Sequence, residues 1–139
     1  MADEKHSWLQ GQRVSIATTA GHDCILGASV AKSASQPDLQ QAYGVFAREA
    51  RTVEADDTPH TVNTDGWPAT QGAWQVLFPH ITVILCFLHA LLKMRDRATK
   101  ALHELFELVQ TRVWEAYHAP NKRAFAQRLR RLREWAKTA

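Results

Sequence analysis

Two aspartates stand where carboxylates could do metal chemistry. Asp65 closes the run Thr61-Val62-Asn63-Thr64 and is followed at once by Gly66, so the backbone can turn sharply there. Asp3 opens the charged run Asp3-Glu4-Lys5-His6. Two carboxylates brought close repel each other and raise one another's proton affinity. A Mg²⁺ or Mn²⁺ ion relieves that repulsion, and hard oxygen ligands suit it. Two such ions about 3.5–4 Å apart can activate a water and stabilise a leaving 3′ oxygen in phosphoryl transfer. The plainer alternatives are a turn-forming Asp before Gly for Asp65 and a solvated residue near the terminus for Asp3.

Other chemistry-bearing residues are fewer. Cys86 and His89 form a C-x2-H unit at the junction of an apolar run and a helical pattern. His80, His103 and His118 supply no second pair at zinc spacing, so a buried Cys and a His that orients a neighbouring carboxylate is the preferred reading. Cys24 reads as a buried strand residue without chemistry. Asp23, Asp56 and Asp57 read as solvated loop carboxylates. Trp67 and Trp74 flank the Asp65 turn. Aromatics near a phosphodiester site can stack on bases, whereas Trp74, at helical spacing, suits a core. Neither a Walker loop nor a dinucleotide-binding glycine fingerprint is present.

The elements that must position these residues follow from periodicity. Asp3 to Leu9 reads as the end of a strand, Gln10-Gly11-Gln12 as a turn, and Arg13 to Ala20 as a β-branched strand. Gly21-His22-Asp23 is a second turn before the strand Cys24 to Ala31. Ser33 or Ser35 can cap a helix with Pro37 in its first turn and Asp38 at the positive end of its dipole. That helix is expected to run to about Thr52. Residues 61–64 form a short strand, Ala69 to Leu77 a helix, and Ile81 to Phe87 a buried strand. From Leu88 the spacing predicts one long helix ending near His118. After the break Ala119-Pro120-Asn121, Lys122 to Lys137 makes a last amphipathic helix with Phe125, Leu129, Leu132 and Ala136 on one face. The order β-β-β-α-β-α-β-α-α, antiparallel first and then alternating, implies a mixed five-stranded sheet with helices on its faces, the ribonuclease H-like arrangement. In that topology the first and fourth strands are neighbours, which would bring Asp3 toward Asp65.

Composition sets the outer bounds. The chain has 139 residues, 45% of them apolar and 22% charged, which is globular and argues against disorder. Two cysteines are too few for a disulfide framework, so reduced thiols and a cytoplasmic protein are expected. The opening MADEKHSWLQ is charged where a leader would be apolar, and the longest apolar run, Ile81 to Leu92, is short of the roughly 20 residues a spanning helix needs. Charge is unevenly placed. Residues 1–90 carry five Lys/Arg against nine Asp/Glu, a net of −4, while residues 91–139 carry twelve against five, a net of +7. An acidic front half can hold a cation, and a basic helical tail can meet a polyanion or simply be solvated.

The stretch Val62 to Thr70, then Ala73-Trp74, Leu77-Phe78-Pro79, Cys86-Phe87-Leu88-His89 and Lys93, resembles the DDE transposases of bacterial insertion sequences, including those akin to the Mutator type. Asp3-Glu4-Lys5-His6 resembles the family's first catalytic segment more weakly. The resemblance covers roughly residues 2–100. It implies a ribonuclease H-like fold, dependence on Mg²⁺ or Mn²⁺, and DNA cleavage and strand transfer in transposition. Asp3 and Asp65 would be the first two catalytic residues and metal ligands, with Cys86 and His89 the accessory pair. The family needs a third carboxylate, a helical Glu. Glu104 and Glu107 lie 39 and 42 positions beyond Asp65, but the spacing favours a Glu beyond Ala139. On this reading residues 1–92 are the catalytic core with its first strand clipped, and 93–139 are a helical insertion or the start of a C-terminal helical region. Lys93, Arg95, Arg97, Arg128, Arg130 and Arg131 would hold transposon-end DNA, with a homo-oligomer as a further expectation and no membrane. The chain would then be a catalytic-core fragment, incomplete on its own. The alternatives are an inactive DNA-associating remnant, or a plain α/β domain that dimerises through its last helices.

Overall fold

The computed structural model describes residues 1–56, 58–98 and 102–138. They divide into two compact units, Met1–His89 and Ala90–Ala139.

The first unit begins with a meander of β1 (Ala2–Leu9), β2 (Gln12–Gly21) and β3 (Cys24–Ala31). Both hairpins turn on two residues with positive φ, Gln10 and Gly11 at 50° and 76°, and His22 and Asp23 at 50° and 62°. Positive φ at both central positions is what matches a tight turn to the twist of antiparallel strands. β1 pairs with β2 from Ala2 opposite Thr19 to Leu9 opposite Gln12. β2 pairs with β3, with a register shift between Thr19 and Ala20. Every second residue of β2 turns inward, burying Ser15, Ala17 and Thr19.

Helix α1 (Gln36–Val53) starts where Ser35 accepts a hydrogen bond from the Asp38 backbone N–H and Pro37 sits in the first turn. It lays Leu39, Ala42, Tyr43 and Ala47 against β2 and β3. Next come β4 (Thr61–Thr64), α2 (Pro68–Leu77) and β5 (Thr82–Leu85), and β5 lies parallel to β4 in a two-stranded sheet. α2 packs on α1 through Trp74, which is 2% exposed. Its ring centroid lies 5.2 Å from that of Tyr43, 5.9 Å from Phe46 and 5.5 Å from Phe78. These tilted and stacked contacts join α1 and α2 through large aromatics.

α3 (Phe87–Arg97) runs across the boundary between the units in sequence. The second unit is otherwise a pair of helices, α4 (His103–Tyr117) and α5 (Lys122–Ala136), packed against each other. Asn121 caps α5 by accepting from the Ala124 N–H at 2.9 Å. The Arg112 guanidinium lies 4.7 Å from the centre of the Trp135 ring, and Arg128 donates to the Glu115 carbonyl oxygen. Arg128 thus satisfies one of the carbonyls that the end of α4 leaves open.

Four expectations are corrected. The described strands form sheets of three and two, not one sheet of five. β1 packs beside β4 without a hydrogen-bonded ladder. β4 offers only four residues for such a ladder. The strand expected over 81–87 is shorter, Thr82–Leu85, and Ile84 and Leu85, which alternate to opposite faces of β5, are both exposed rather than buried. The single long helix is two, α3 and α4, with 99–101 outside the described residues. Met94 is the only large apolar residue between Leu92 and Leu102, so the stripe that packs a helix is interrupted there. Cys24 is exposed rather than buried, because it starts the outer strand β3 directly after a turn, with its Sγ donating to the Gly21 carbonyl. Asp57 lies outside the described residues.

Candidate active site

Asp65 follows β4 directly, and Gly66, at φ 88°, takes a conformation a side chain would oppose. The chain then turns into α2, and the Asp65 Oδ1 accepts from the Trp67 N–H at 2.8 Å. That bond is the Asx turn the residue types foretold, and it holds the carboxylate at the head of α2. Asp3 lies on β1, the strand beside β4, opposite Thr18 of β2. Its carbonyl oxygen accepts from the Tyr43 hydroxyl at 3.3 Å.

Next to Asp3 on β1 is Glu4, which sequence reasoning did not single out. One carboxylate oxygen, Oε1, accepts from the Tyr43 hydroxyl at 2.5 Å and from the Thr70 hydroxyl at 2.8 Å. Three elements, β1, α1 and α2, therefore meet at one oxygen. Burial raises the Glu4 pKa above its ordinary value, the two hydroxyl bonds hold it back, and the charges of Asp65 and Asp3 raise it further. Tyr43 is also shifted upward, first by burial and then by the Glu4 bond and the charges of Glu4 and Asp3. Both shifts report burial first, with the neighbouring carboxylates adding to it. The available signal was alternation: adjacent Asp3 and Glu4 on one strand must face opposite ways, so one of them meets the helices and needs donors there.

The remaining candidates are placed as follows. The Cys86 N–H donates to the Thr64 carbonyl oxygen at 2.6 Å, which joins the end of β4 to the start of α3. His89 Nδ1 is buried without a hydrogen-bond partner among the described residues, so that nitrogen orients no carboxylate. Glu104 is in the first turn of α4, in the other unit, and Glu107 lies 3.5 Å from His103 one turn away. Lys93, Arg95 and Arg97 are exposed on α3, with Arg95 bonded to Asp96. Arg130 and Arg131 are exposed on α5, while Arg128 is half-buried and committed to Glu115. No group of three or more His, Cys, Asp or Glu among the described residues is arranged to enclose a metal. Mg²⁺ asks for less, since it keeps several waters and is held by one or two carboxylates together with substrate phosphate. Asp3 and Asp65 fit that demand in donor type, and the charges of both add to the burial that raises the proton affinity of Glu4.

The class these features define is a mixed α/β unit with a carboxylate seam, followed by basic helices. No protein-family model and no curated protein matches the chain. Among solved structures, the catalytic core domain of HTLV-2 integrase in complex with magnesium, in a trimeric form, aligns with 92% of this chain and 79% of that one. The identity is 16% and the TM-score 0.44. A likeness of that size fixes neither fold nor chemistry for this chain. No helix among the described residues is long and apolar enough to cross a membrane.

Proposed function

We propose that the chain is the core of a metal-dependent phosphoryl-transfer protein acting on DNA, of the DDE transposase kind. The observation that carries this is the convergence at the β1–β4 seam: Glu4 on β1 feels the charge of both Asp65 and Asp3. In this reading Asp3 and Asp65 would hold Mg²⁺ or Mn²⁺. The ion would supply Lewis-acid stabilisation and an activated water or 3′ hydroxyl. The chain's own residues position and balance charge. Gly66 and the Trp67 N–H orient Asp65, and the Tyr43 and Thr70 hydroxyls fix one oxygen of the Glu4 carboxyl.

The finer assignment, a transposase of a bacterial insertion sequence, rests on the resemblance of residues 62–93. With it come the core at 1–92, the helical region at 93–139, and Cys86 and His89 as accessory residues. Exposed Lys93, Arg95, Arg97, Arg130 and Arg131 would meet the phosphate backbone of DNA, and a net of +7 over residues 91–139 supports that role. On the resemblance, the third carboxylate is Glu104 or lies beyond Ala139.

The test is thermal unfolding with and without Mg²⁺, paired with cleavage of labelled DNA. Mg²⁺ at a hundred times its dissociation constant should stabilise the protein by about 2.7 kcal/mol. Asp65→Asn and Asp3→Asn should each abolish that gain. A melting temperature indifferent to Mg²⁺ in the unaltered protein would overturn the reading. Loss of cleavage in Glu104→Gln, with Mg²⁺ binding intact, would select Glu104 as the third carboxylate.

A further inference from the structure

Beside the Asp65 turn lies a shallow cleft whose lining includes His6, Arg13, Ser15, Lys32, Ala34 and Trp67. It belongs wholly to the first unit, and its residues come from β1, β2, the link from β3 to α1, and the turn after β4. Trp67 forms one wall. The residue is 49% exposed, yet its position is set twice: the indole Nε1 donates to the Ala34 carbonyl oxygen at 3.2 Å, and the backbone N–H is held by Asp65. An aromatic fixed by two hydrogen bonds and still half open is a preorganised stacking surface, since a ligand pays little ordering cost to use it. Around it stand the exposed side chains of Arg13 and Lys32. Neither makes an ion pair among the described residues. His6 completes the rim, with Nδ1 3.2 Å from the Ser15 hydroxyl. In a unit with nine acidic residues and five basic ones, two cations at one cleft with an open indole are a local reversal of charge. In the second unit, by contrast, the Trp135 ring is already covered by the Arg112 guanidinium.

We propose that this cleft receives an unpaired nucleotide of a DNA strand, with its base stacked on Trp67 and its flanking phosphates against Arg13 and Lys32. A π-face accepts any base, so the site selects for strandedness rather than sequence. In a duplex the base faces are already stacked on their neighbours, so the indole can be reached only by a frayed end or a flipped base. The proposal rests on the reading that the chain acts on DNA. It places beside Asp65 a hold for the strand whose phosphate is to react, and it needs no metal.

The experiment is fluorescence polarisation of a labelled ten-nucleotide oligothymidylate with the whole chain in EDTA, over a salt series. A duplex of the same length is run in parallel. Trp67→Ala should weaken single-strand binding about fivefold or more, while Trp67→Phe, which keeps an aromatic face but loses the Ala34 bond, should retain most of it. The double variant Arg13→Ala, Lys32→Ala alters only exposed side chains. It should reduce the slope of log affinity against log salt by about 1.4, since each phosphate contact contributes about 0.7 on a single strand. Duplex binding should be little changed by any of the three. Unaltered single-strand binding in both Trp67→Ala and the double variant would overturn the proposal. So would a Trp67→Ala variant that loses duplex and single strand equally along with its melting temperature, since Trp67 would then be only a brace for the Ala34 loop. Because every arm is run without metal, failure of the metal site shows in the Mg²⁺ melting experiment and not here.

Discussion

The two units of this chain are held together by different means. In the first, strands and helices enclose Leu39, Tyr43, Trp74 and Phe78, and a charged carboxyl is brought inward only with two hydroxyl donors. In the second, Leu91, Phe106 and Ala116 are the buried residues among those described, and α5 buries none. Its helices meet through partly covered apolar residues, a cation over an indole and an arginine on a carbonyl. The acidic residues lie mostly where the packing is tight, and the basic ones mostly where it is loose. A site that must hold carboxylates at fixed positions needs a rigid scaffold. A surface that meets a polyanion needs only charge and reach.

The largest effect should come from the first unit's core. Trp74→Ala should cost about 3–5 kcal/mol in urea unfolding, as expected for a large aromatic removed from a packed core. Leu129→Ala, 37% exposed on α5, should cost far less. Equal losses would erase the contrast between the units. Next is the metal effect. The Mg²⁺ stabilisation of about 2.7 kcal/mol should vanish in Asp65→Asn and survive in Arg130→Ala, which confines it to the acidic unit. Tyr43→Phe should follow at about 1 kcal/mol, the net worth of a hydrogen bond whose acceptor keeps a second donor in Thr70.

Glu4 adds a pH dependence. Its carboxyl binds its proton more tightly in the folded chain than in the unfolded one, where the value is near 4.5. Its contribution is therefore fully present below that pH and is lost as pH rises through the higher folded value. Glu4→Gln should flatten that fall, and an unchanged pH profile would show that Glu4 is not the group responsible. The smallest effects belong to the basic surface. Arg130→Ala and Arg131→Ala should each lower the salt slope of duplex binding by about 0.9 with little change in stability. Arg128→Ala should differ from both by lowering the melting temperature, because that side chain closes the end of α4.

Much of the scaffold was legible in the residues. The β-branched run Arg13 to Ala20, set between the turn signals at Gln10-Gly11-Gln12 and Gly21-His22-Asp23, specifies two hairpins, and the Ser35-Gln36-Pro37-Asp38 start specifies α1. Trp74 reads as core from its helical spacing. These features are local, because period, cap and turn chemistry act over a few residues. Half of the candidate site was legible in the same way: Asp65 before Gly66 announces its own turn. Glu4 was not, since its significance depends on Tyr43 and Thr70, 39 and 66 residues away. The cleft at Trp67 was not either, because Arg13 and Lys32 become its neighbours only when the meander folds.

What the sequence by itself determined is therefore the order of elements through β5, and the division of charge between an acidic front and a basic tail. Tertiary structure alone decided that the sheet divides at the β1–β4 seam, that Glu4 rather than Asp3 turns in toward the helices, and that Arg128 serves α4 while Arg130 and Arg131 stay open. The physical reason is range. Hydrogen-bonding periodicity is written within a few residues of itself, whereas desolvation, charge repulsion and the pairing of a buried polar group depend on what folding brings near.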